Sequence, residues 1–503
     1  MTLSEFFDSP FSKAHRSYEG SAIAIAPAPE YANSDVLLSS LYRIAGLGVR
    51  ESGVKAVADD LEAVVAKARK SGSSPGGSAL APDEFDLLLR SVLDGPRLAN
   101  QSKKRHLQVT PLVPLAASFS GAARLRGNPW NPGALVRNMI SLGARDREHA
   151  AKAWDSVFEA LSVGKDDDVF AQFVQSELFS WAPGASWNQG DGPAKPSFDE
   201  KDRRQSTFPA ARFVDDLPAI IAAKPHLTRR QWTSVLEATI RLACVSHVAW
   251  LCEAQAGAWA CISRALGGQG GPSDDEARRA LFPSQFTYLT FGDRPLSALK
   301  DRIYRYLRAR LGLNATLFAL DELQLGVELD LGSSSGLSEL GELVARNQAG
   351  LAGLGVAERI RDAEEQYSAT LLCKRGTGVN MFEFARHALG QRQVANPALR
   401  DYDQGYFLRK RGTSRGSPWV VDLGPVATLA LVHCSLAGAA GPRSVHRLAQ
   451  HLQAYGIGID HRDIATNELG AQLRELGLVI DSPDAESGML LVSPFGTVME
   501  SRS

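Results

Sequence analysis

The chain has 503 residues, more than one compact core usually holds, so two to four domains are expected. Hydrophobic residues make up 44% and charged residues 22%, the balance of an ordinary globular protein. With 55 Lys+Arg against 56 Asp+Glu the formal net charge is −1, which excludes a protein that coats nucleic acid through an overall basic excess.

Five cysteines occur, Cys244, Cys252, Cys261, Cys373 and Cys434. The count is odd and no CxxC pair exists, so buried reduced thiols are expected rather than disulfides. The opening MTLSEFFDSPFSKAHR has no cationic stretch leading into an apolar one, so it does not read as a secretory signal. No uninterrupted run of about 18 apolar residues occurs, so no membrane partner is implied. The expected location is cytoplasmic. Usage rich in Ala, Gly and Arg and poor in Met and Lys points to a high-GC bacterial genome.

In chain order, residues 1–20 read as a flexible N-terminal arm, either mobile or docking. SAIAIAPAPE (21–30) is a short extended stretch ended by prolines. A helix is expected over about 35–47, capped by Ser34 or Asp35. A second is expected over 54–70, where Val57, Leu61, Val64 and Val65 recur on one face. SGSSPGGSALAP (71–82) is a flexible loop. Asp83 then caps a helix that turns Phe85, Leu88, Leu89 and Leu93 inward. The prolines of HLQVTPLVPLAA (106–117) exclude a central strand or an unbroken helix. GNPWNPG (127–133) is a turn, and helices follow near 134–142 and 146–162.

Residues 182–206 are rich in Gly, Pro and charge and read as an exposed, disordered loop or linker. From Thr228 to about residue 266 the pattern is helical and apolar almost all round, which predicts a central buried helix. Helices are expected near 274–280, 295–311, 337–349, 353–366 and 380–389. FTYLTF (286–291) and GVELDL (326–331) read as short strands. The organisation is therefore an arm (1–20), an N-terminal helical domain (21–181), the linker (182–206), a central helical domain (207–400) and a C-terminal domain (401–503).

No catalytic signature stands out. A phosphate-binding loop needs GxxxxGK[ST]. The nearest approach runs from Gly48 through Gly53 to Lys55, with the Lys one place late and no hydroxyl after it. The first glycine reads instead as the end of a helix. Cys244 and His247 are three apart, but Cys252 and Cys261 fall outside zinc-site spacing. They read as small thiols packing the central helix, with His247 hydrogen-bonded. No GxSxG elbow exists. Asp166, Asp167 and Asp168 stand at a helix start, where three acids suit the helix dipole and solvent. Glu328 and Asp330 resemble a fragment of a metal-dependent nuclease motif that lacks its Lys. Trp181 and Trp187 flank the Gly-rich loop and are expected to pin it. No cofactor or metal is implied.

One basic cluster exists: Arg409, Lys410, Arg411 and Arg415, preceded by Tyr406 and Phe407. Its readings are a solvated loop, contact with phosphate, or contact with an acidic partner. After it the pattern becomes specific. A buried helix is expected over 424–436, ended by Gly438 and Gly441. A second, over 443–454, turns Val445, Leu448, Ala449 and Leu452 inward. A third, over 463–476 and capped by Asp460 or Asp463, buries Ile464, Leu469, Leu473 and Leu476. Strands at 478–480 and 489–492 flank a loop. Three helices and a two-stranded wing make a winged helix-turn-helix, so the fold class is mainly α, a multi-domain helical body with that module at its C-terminus.

In such a module helix three enters the major groove. Its exposed candidates are His461, Arg462, Thr466, Asn467, Gln472 and Arg474, where Asn and Gln suit adenine and Arg suits guanine. Yet residues 401–503 hold nine Lys+Arg against eleven Asp+Glu. A module with that balance suits a partner protein as well as a duplex.

The ending LRELGLVIDSPDAESGMLLVSPF, after YGIGIDHRDIATNELGAQ, resembles the C-terminal module of non-ATPase accessory subunits in bacterial phage-defence islands. These belong to the phosphorothioation-dependent restriction and methylation-associated kinds. The resemblance spans about residues 400–498. It implies a non-catalytic subunit that works beside an ATPase or a nuclease and engages double-stranded DNA. The alternatives are a metal-dependent nuclease with a divergent site and a winged-helix transcription regulator.

Overall fold

The computed structural model describes residues 1–25, 34–49, 70–72, 74, 77–88, 110–119, 132–181, 185–192, 198–204, 208–283, 286–391, 402–414, 416–481 and 489–495. Its regular structure is mainly helical, with strands of only two or three residues. The helix expected over 54–70 lies almost wholly outside the described residues, as do the turn over 127–131 and all of helix 83–93 beyond Leu88.

The N-terminal part contains α1 (Leu3–Asp8), α2 (Arg16–Glu19), α3 (Ser34–Ala45), β1 (Leu47–Val49), α4 (Pro82–Leu88), α5 (Pro132–Gly143), α6 (Arg147–Leu161), α7 (Val169–Trp181), β2 (Ala185–Trp187) and α8 (Glu200–Arg204). The arm expected over 1–20 lies docked on the rest of the chain, together with residues 21–25 that follow it. Leu3, Phe6 and Tyr18 are fully buried, and Ile23 with them. His15 donates its backbone N–H to Asn314 Oδ1 at 2.7 Å, and its ring Nε2 lies 3.0 Å from Asp321 Oδ2. Apolar side chains in a segment this short find burial only against another element, which is why the arm is held.

Residues 182–206 were expected to be disordered, yet two described parts of this stretch are anchored. β2 pairs antiparallel with β1, Leu47 opposite Trp187. Trp187 stacks on Phe158 with centroids 5.0 Å apart and donates Nε1–H to Ser162 Oγ at 2.8 Å, the pinning role expected of it. Phe198 joins Phe208, Trp250 and Phe282 in one aromatic cluster. Aromatic burial outweighs the Gly- and Pro-rich composition there. Gly48 stands in β1 rather than at a helix end; α3 stops at Ala45 before it.

α9 (Pro209–Ala222) leads into α10 (Arg229–Leu266), the 38-residue helix that organises the protein. Thr228 caps it in a reciprocal box with Gln231. At 1.5 Å per residue it is about 57 Å long. It packs against α3, α5 and α9 and against α11 (Asp274–Leu281), α12 (Leu296–Glu322) and α13 (Ser334–Arg346). By length and hydropathy alone α10 could cross a membrane, but 94% of its most apolar window is buried inside the protein. It is a core helix. α5 reaches α3 and α9 closely through its end glycines: a Cβ at Gly133 would sit 2.4 Å from Ser40 O, and one at Gly143 2.1 Å from Ala210 O.

All five cysteines are free and buried, as their spacing suggested. Burial pushes the Cys252 thiol up to about 12 and Cys373 to about 11. His247 departs from expectation. It is fully buried, stacks on Trp250 at 6.0 Å, and neither ring nitrogen has a hydrogen-bond partner among the described residues. Burial lowers its pKa to about 3. The unfolded imidazole, near 6.5, takes a proton that the folded one refuses. Stability from His247 is therefore full above pH 6.5 and falls as pH drops towards 3, at up to about 1.4 kcal/mol per pH unit. Urea unfolding between pH 7 and pH 4.5 should show this slope, and His247→Leu should flatten it; an equal slope in both proteins would refute the assignment.

Three buried arginines tie the layers. Arg229, 1% exposed, donates to Leu112 O, Ala160 O, Ser162 O and Asp167 Oδ1 at 3.1–3.3 Å, and to Leu161 O. Arg241 forms a two-bond fork with Asp403 at 2.8 Å each and donates to Ala388 O. Arg310 donates to Phe11 O at 3.2 Å. The acidic triplet is thus only partly a solvent feature: Asp167 is buried between Lys224 and Arg229, and Asp168 caps α7 through Ala171 N while its second oxygen accepts from Arg229 N.

Beyond α13 come α14 (Gln348–Gly353), α15 (Val356–Gln366), α16 (Ser368–Leu371) and α17 (Gly376–Ala388). FTYLTF supplies only β3 (Leu289–Thr290), and GVELDL forms no strand. Its alternation is local: Val327 and Leu331 are buried while Glu328 stays open to solvent.

The C-terminal segment runs β4 (Leu408–Lys410), β5 (Trp419–Val421), α18 (Pro425–Ser435), β6 (Arg443–Ser444), α19 (His446–Ala454), β7 (Ile457–Gly458), α20 (His461–Ile464), α21 (Glu468–Glu475), β8 (Val479–Asp481) and β9 (Met489–Leu491). β9 pairs antiparallel with both β6 and β8. β7 pairs parallel with β3, so the link between α19 and α20 is fastened to the body. α18 packs on α9 and α10. The expected third helix is two. Asp460 caps α20, and Asn467 caps α21 by accepting from Leu469 N and Gly470 N. The fold between them is tight enough that a Cβ at Gly470 would lie 2.0 Å from Ile464 O.

A buried polar knot joins this segment to α9. Asp216, 0% exposed, accepts from Tyr455 Oη at 2.7 Å and Arg212 Nη2 at 2.8 Å, and His451 Nε2 stands 3.1 Å away. Burial and the adjoining carboxylate hold the Tyr455 phenol well above its ordinary range, so it remains a donor.

Candidate nucleic-acid interface

A Gly- and Ser-rich loop between two short strands lets β4 and β5 close as a hairpin. Leu408 faces Val421 and Lys410 faces Trp419. Gly412 takes the left-handed turn at φ +102, and Ser414 and Ser417 bond across the loop at 2.8 Å. This hairpin carries the basic cluster. Arg409 Nη1 lies 3.4 Å from Asp422 Oδ2. Burial pushes the Asp422 carboxyl up, against the pull of the Leu423 N–H and Arg409. Arg411 reaches Glu468 Oε2 at 2.9 Å, which brings the hairpin beside the start of α21. Lys410 makes no ion pair or side-chain hydrogen bond with a described residue. Arg415 lies outside the described residues.

The residues expected to read bases have mostly local duties. Asn467 is the α21 cap, its side-chain oxygen held by two backbone N–H groups. Gln472 Oε1 accepts from Thr428 Oγ1 at 3.3 Å, towards α18. Arg474 meets Asp481 of β8 at 3.2 Å and donates to Ala465 O. Arg462, on α20, is exposed, and its side chain meets no described partner. The structure thus gathers Arg409, Lys410, Arg411 and the N-terminus of α21 in one neighbourhood. It turns Gln472 inward and Arg474 towards the β8–β9 strands.

The energetics leave this face half committed. Arg411–Glu468 and Arg474–Asp481 join side chains that are 42–62% exposed. Such surface pairs contribute about 0–1 kcal/mol, so a phosphate can take either arginine at small cost. Asn467 is different: taking its oxygen for a base would uncap α21, at about 1 kcal/mol.

Glu328 and Asp330 have duties that the nuclease alternative did not anticipate. Glu328 is 78% exposed and stands 3.8 Å from Arg16. Asp330 caps a turn, accepting from Gly332 N at 2.9 Å. No group of three or more His, Cys, Asp or Glu among the described residues is placed to hold a metal ion.

The sequence reading missed Arg212, Asp216, Arg443, Arg447, His451 and Tyr455, which line or underlie a cleft between α9 and α19. The one signal available was Asp216 itself, a charge inside an otherwise apolar α9 face of Phe213, Val214, Leu217 and Ile220. Its partner Tyr455 is 239 residues away in the chain, beyond any local pattern. No protein-family model matches this chain, and no curated protein matches its sequence.

Proposed function

We propose that the chain is a non-catalytic subunit of a bacterial DNA-associated complex, of the anti-phage defence kind its C-terminal sequence resembles. Its helical body holds partner proteins, and its C-terminal segment is a winged helix-turn-helix that meets DNA or a partner. The observation that carries this reading is the order α18, β6, α19, α20–α21, β8, β9, with β9 central in the small sheet. That is the arrangement a winged helix needs: a recognition helix followed by a hairpin.

The charge layout favours a partner protein for the α21 face and limits duplex contact to the hairpin edge. Asn467, Gln472 and Arg474 serve the fold, whereas Lys410 and Arg462 are unpaired among the described residues and Arg411 is held only by an exposed pair.

Anisotropy titrations of a labelled duplex at 50 and 200 mM salt test the DNA half. Wild type should bind weakly and with a clear salt dependence. The triple variant Lys410→Ala, Arg411→Ala, Arg462→Ala should reduce the salt slope by about 2–3, close to one for each lost phosphate contact. If no duplex binds with salt dependence, DNA contact is wrong. Affinity purification of the full chain from its native cells tests the other half; recovery without an ATPase, nuclease or other stoichiometric partner would sink the subunit reading.

A further inference from the structure

A cleft of about 490 Å³ opens between α9 and the C-terminal segment. Its walls are Arg212 of α9, the end of α18, Arg443 and Ser444 of β6, and one stripe of α19. The stripe is His446, Arg447, Gln450, His451 and Ala454, neighbours on one helical face. Among the described residues three arginines and two histidines line the cleft, and no carboxylate does.

Three other arginines of this segment meet acids: Arg409 with Asp422, Arg411 with Glu468, Arg474 with Asp481. The cleft differs. Arg447 donates to Ser435 O at 2.5 Å and Ala437 O at 3.2 Å, and Arg443 to Pro442 O at 3.3 Å. Carbonyls orient a guanidinium and leave its full charge in place. Arg212 is balanced from beneath by buried Asp216, with Asp215 Oδ2 at 3.9 Å on the outer side. Arg212 therefore adds donors, and Arg443 and Arg447 add net charge. Gln450 and the His446 ring, 2.8 Å apart, complete a polar rim.

We infer that this cleft binds a small phosphorylated anion, from pyrophosphate up to a nucleoside monophosphate in size, clamped between α9 and the β6–α19 corner. Guanidinium forks match phosphate oxygens two at a time. The volume falls within the range of small-molecule sites. The inference rests on the cleft alone and stands whether or not the winged-helix reading holds. Because the anion would touch both α9 and α19, its binding should tighten the seat of the C-terminal segment on the body.

Thermal unfolding and calorimetric titration of the full chain test it, in phosphate-free buffer at fixed ionic strength. The probes are pyrophosphate, AMP and a short DNA duplex. Pyrophosphate or AMP at a hundredfold excess over its Kd should raise Tm by about 2–3 °C. Arg443→Ala should abolish the rise. Arg443 is exposed and makes one weak carbonyl bond, so this variant does not depend on refolding a damaged core. Arg447→Gln should weaken binding at least tenfold. No shift with pyrophosphate or AMP, a shift retained in Arg443→Ala, or a shift produced by the duplex alone would each overturn the assignment.

Discussion

Arg229→Ala is expected to lower folding stability by about 3–5 kcal/mol, the range for removing one member of a buried charged network. The guanidinium ends the α6 helix, closing the carbonyls of Ala160, Leu161 and Ser162, and holds Leu112 O from the stretch over 110–119. Alanine leaves Leu112 O, Ala160 O and Leu161 O without this donor, each costing about 1–3 kcal/mol if no water reaches it, whereas Ser162 O keeps Lys224 Nζ at 3.2 Å. Asp167 keeps Lys224 at 3.1 Å, which moderates the loss. Arg229→Lys retains the charge but loses the fork, and should recover less than half the deficit. Chemical denaturation monitored by the buried Trp232, which lies 5.0 Å from the Arg229 guanidinium, reads both. A cost below about 1 kcal/mol would mean that Arg229 is not what holds α6 to α10.

Asp216→Ala should produce the second large effect, and a local one. The residue is fully buried and is the shared acceptor for Tyr455 and Arg212, with His451 beside it. Its removal strands a phenol and a guanidinium at the join between α9 and α19. The expected cost is about 2–4 kcal/mol, from a buried phenol and a partly exposed guanidinium left without their shared acceptor. Tyr455→Phe removes one hydrogen bond and should cost about 1–1.5 kcal/mol. Hydrogen exchange distinguishes a seat from a general stabiliser: α18 and α19 should lose protection in Asp216→Ala while the middle of α10 keeps it. Uniform loss along the chain would show that Asp216 serves the whole core instead.

Together with the pH slope of His247, these substitutions show where polar groups matter in a mainly helical protein. Arg229 and Asp216 have several strong partners and fix how helices meet. His247 has none among the described residues, and its contribution depends on staying neutral. The same contrast separates the two charged regions at the C-terminus. On the hairpin, Arg409 and Arg411 have carboxylates; in the cleft, Arg443 and Arg447 have, among the described residues, only carbonyls.

Much of the helical layout was legible in the sequence because helices announce themselves locally. Thr228 marked the start of α10, and continuous apolarity marked it as central. The Ser273 cap with Glu276 and the Pro425 start of α18 are equally local. The C-terminal helices and the β8–β9 pair fell close to their expected positions, except that Asn467 began a new helix where one continuous helix was expected. An Asn can expose its amide to a base or fold it back onto backbone N–H groups. Sequence does not distinguish the two, because the choice depends on whether the chain before it turns sharply.

Tertiary structure decided the rest. Composition marked residues 182–206 as disordered, but Phe198 and Trp187 had partners on other elements. The arm contained Leu3, Phe6 and Tyr18 and found α12 and α10 to cover them. The basic cluster was visible as composition, while its pairing with Glu468 and Asp422 was not. The cleft was invisible because Arg212 and Arg447 are 235 positions apart. Local propensity, capping and periodicity act over a few residues, and the sequence by itself therefore determined which segments are helical and which faces are apolar. Charge pairing, the docking of short segments and the shape of a cleft arise between segments distant in the chain, so only their packing decided them.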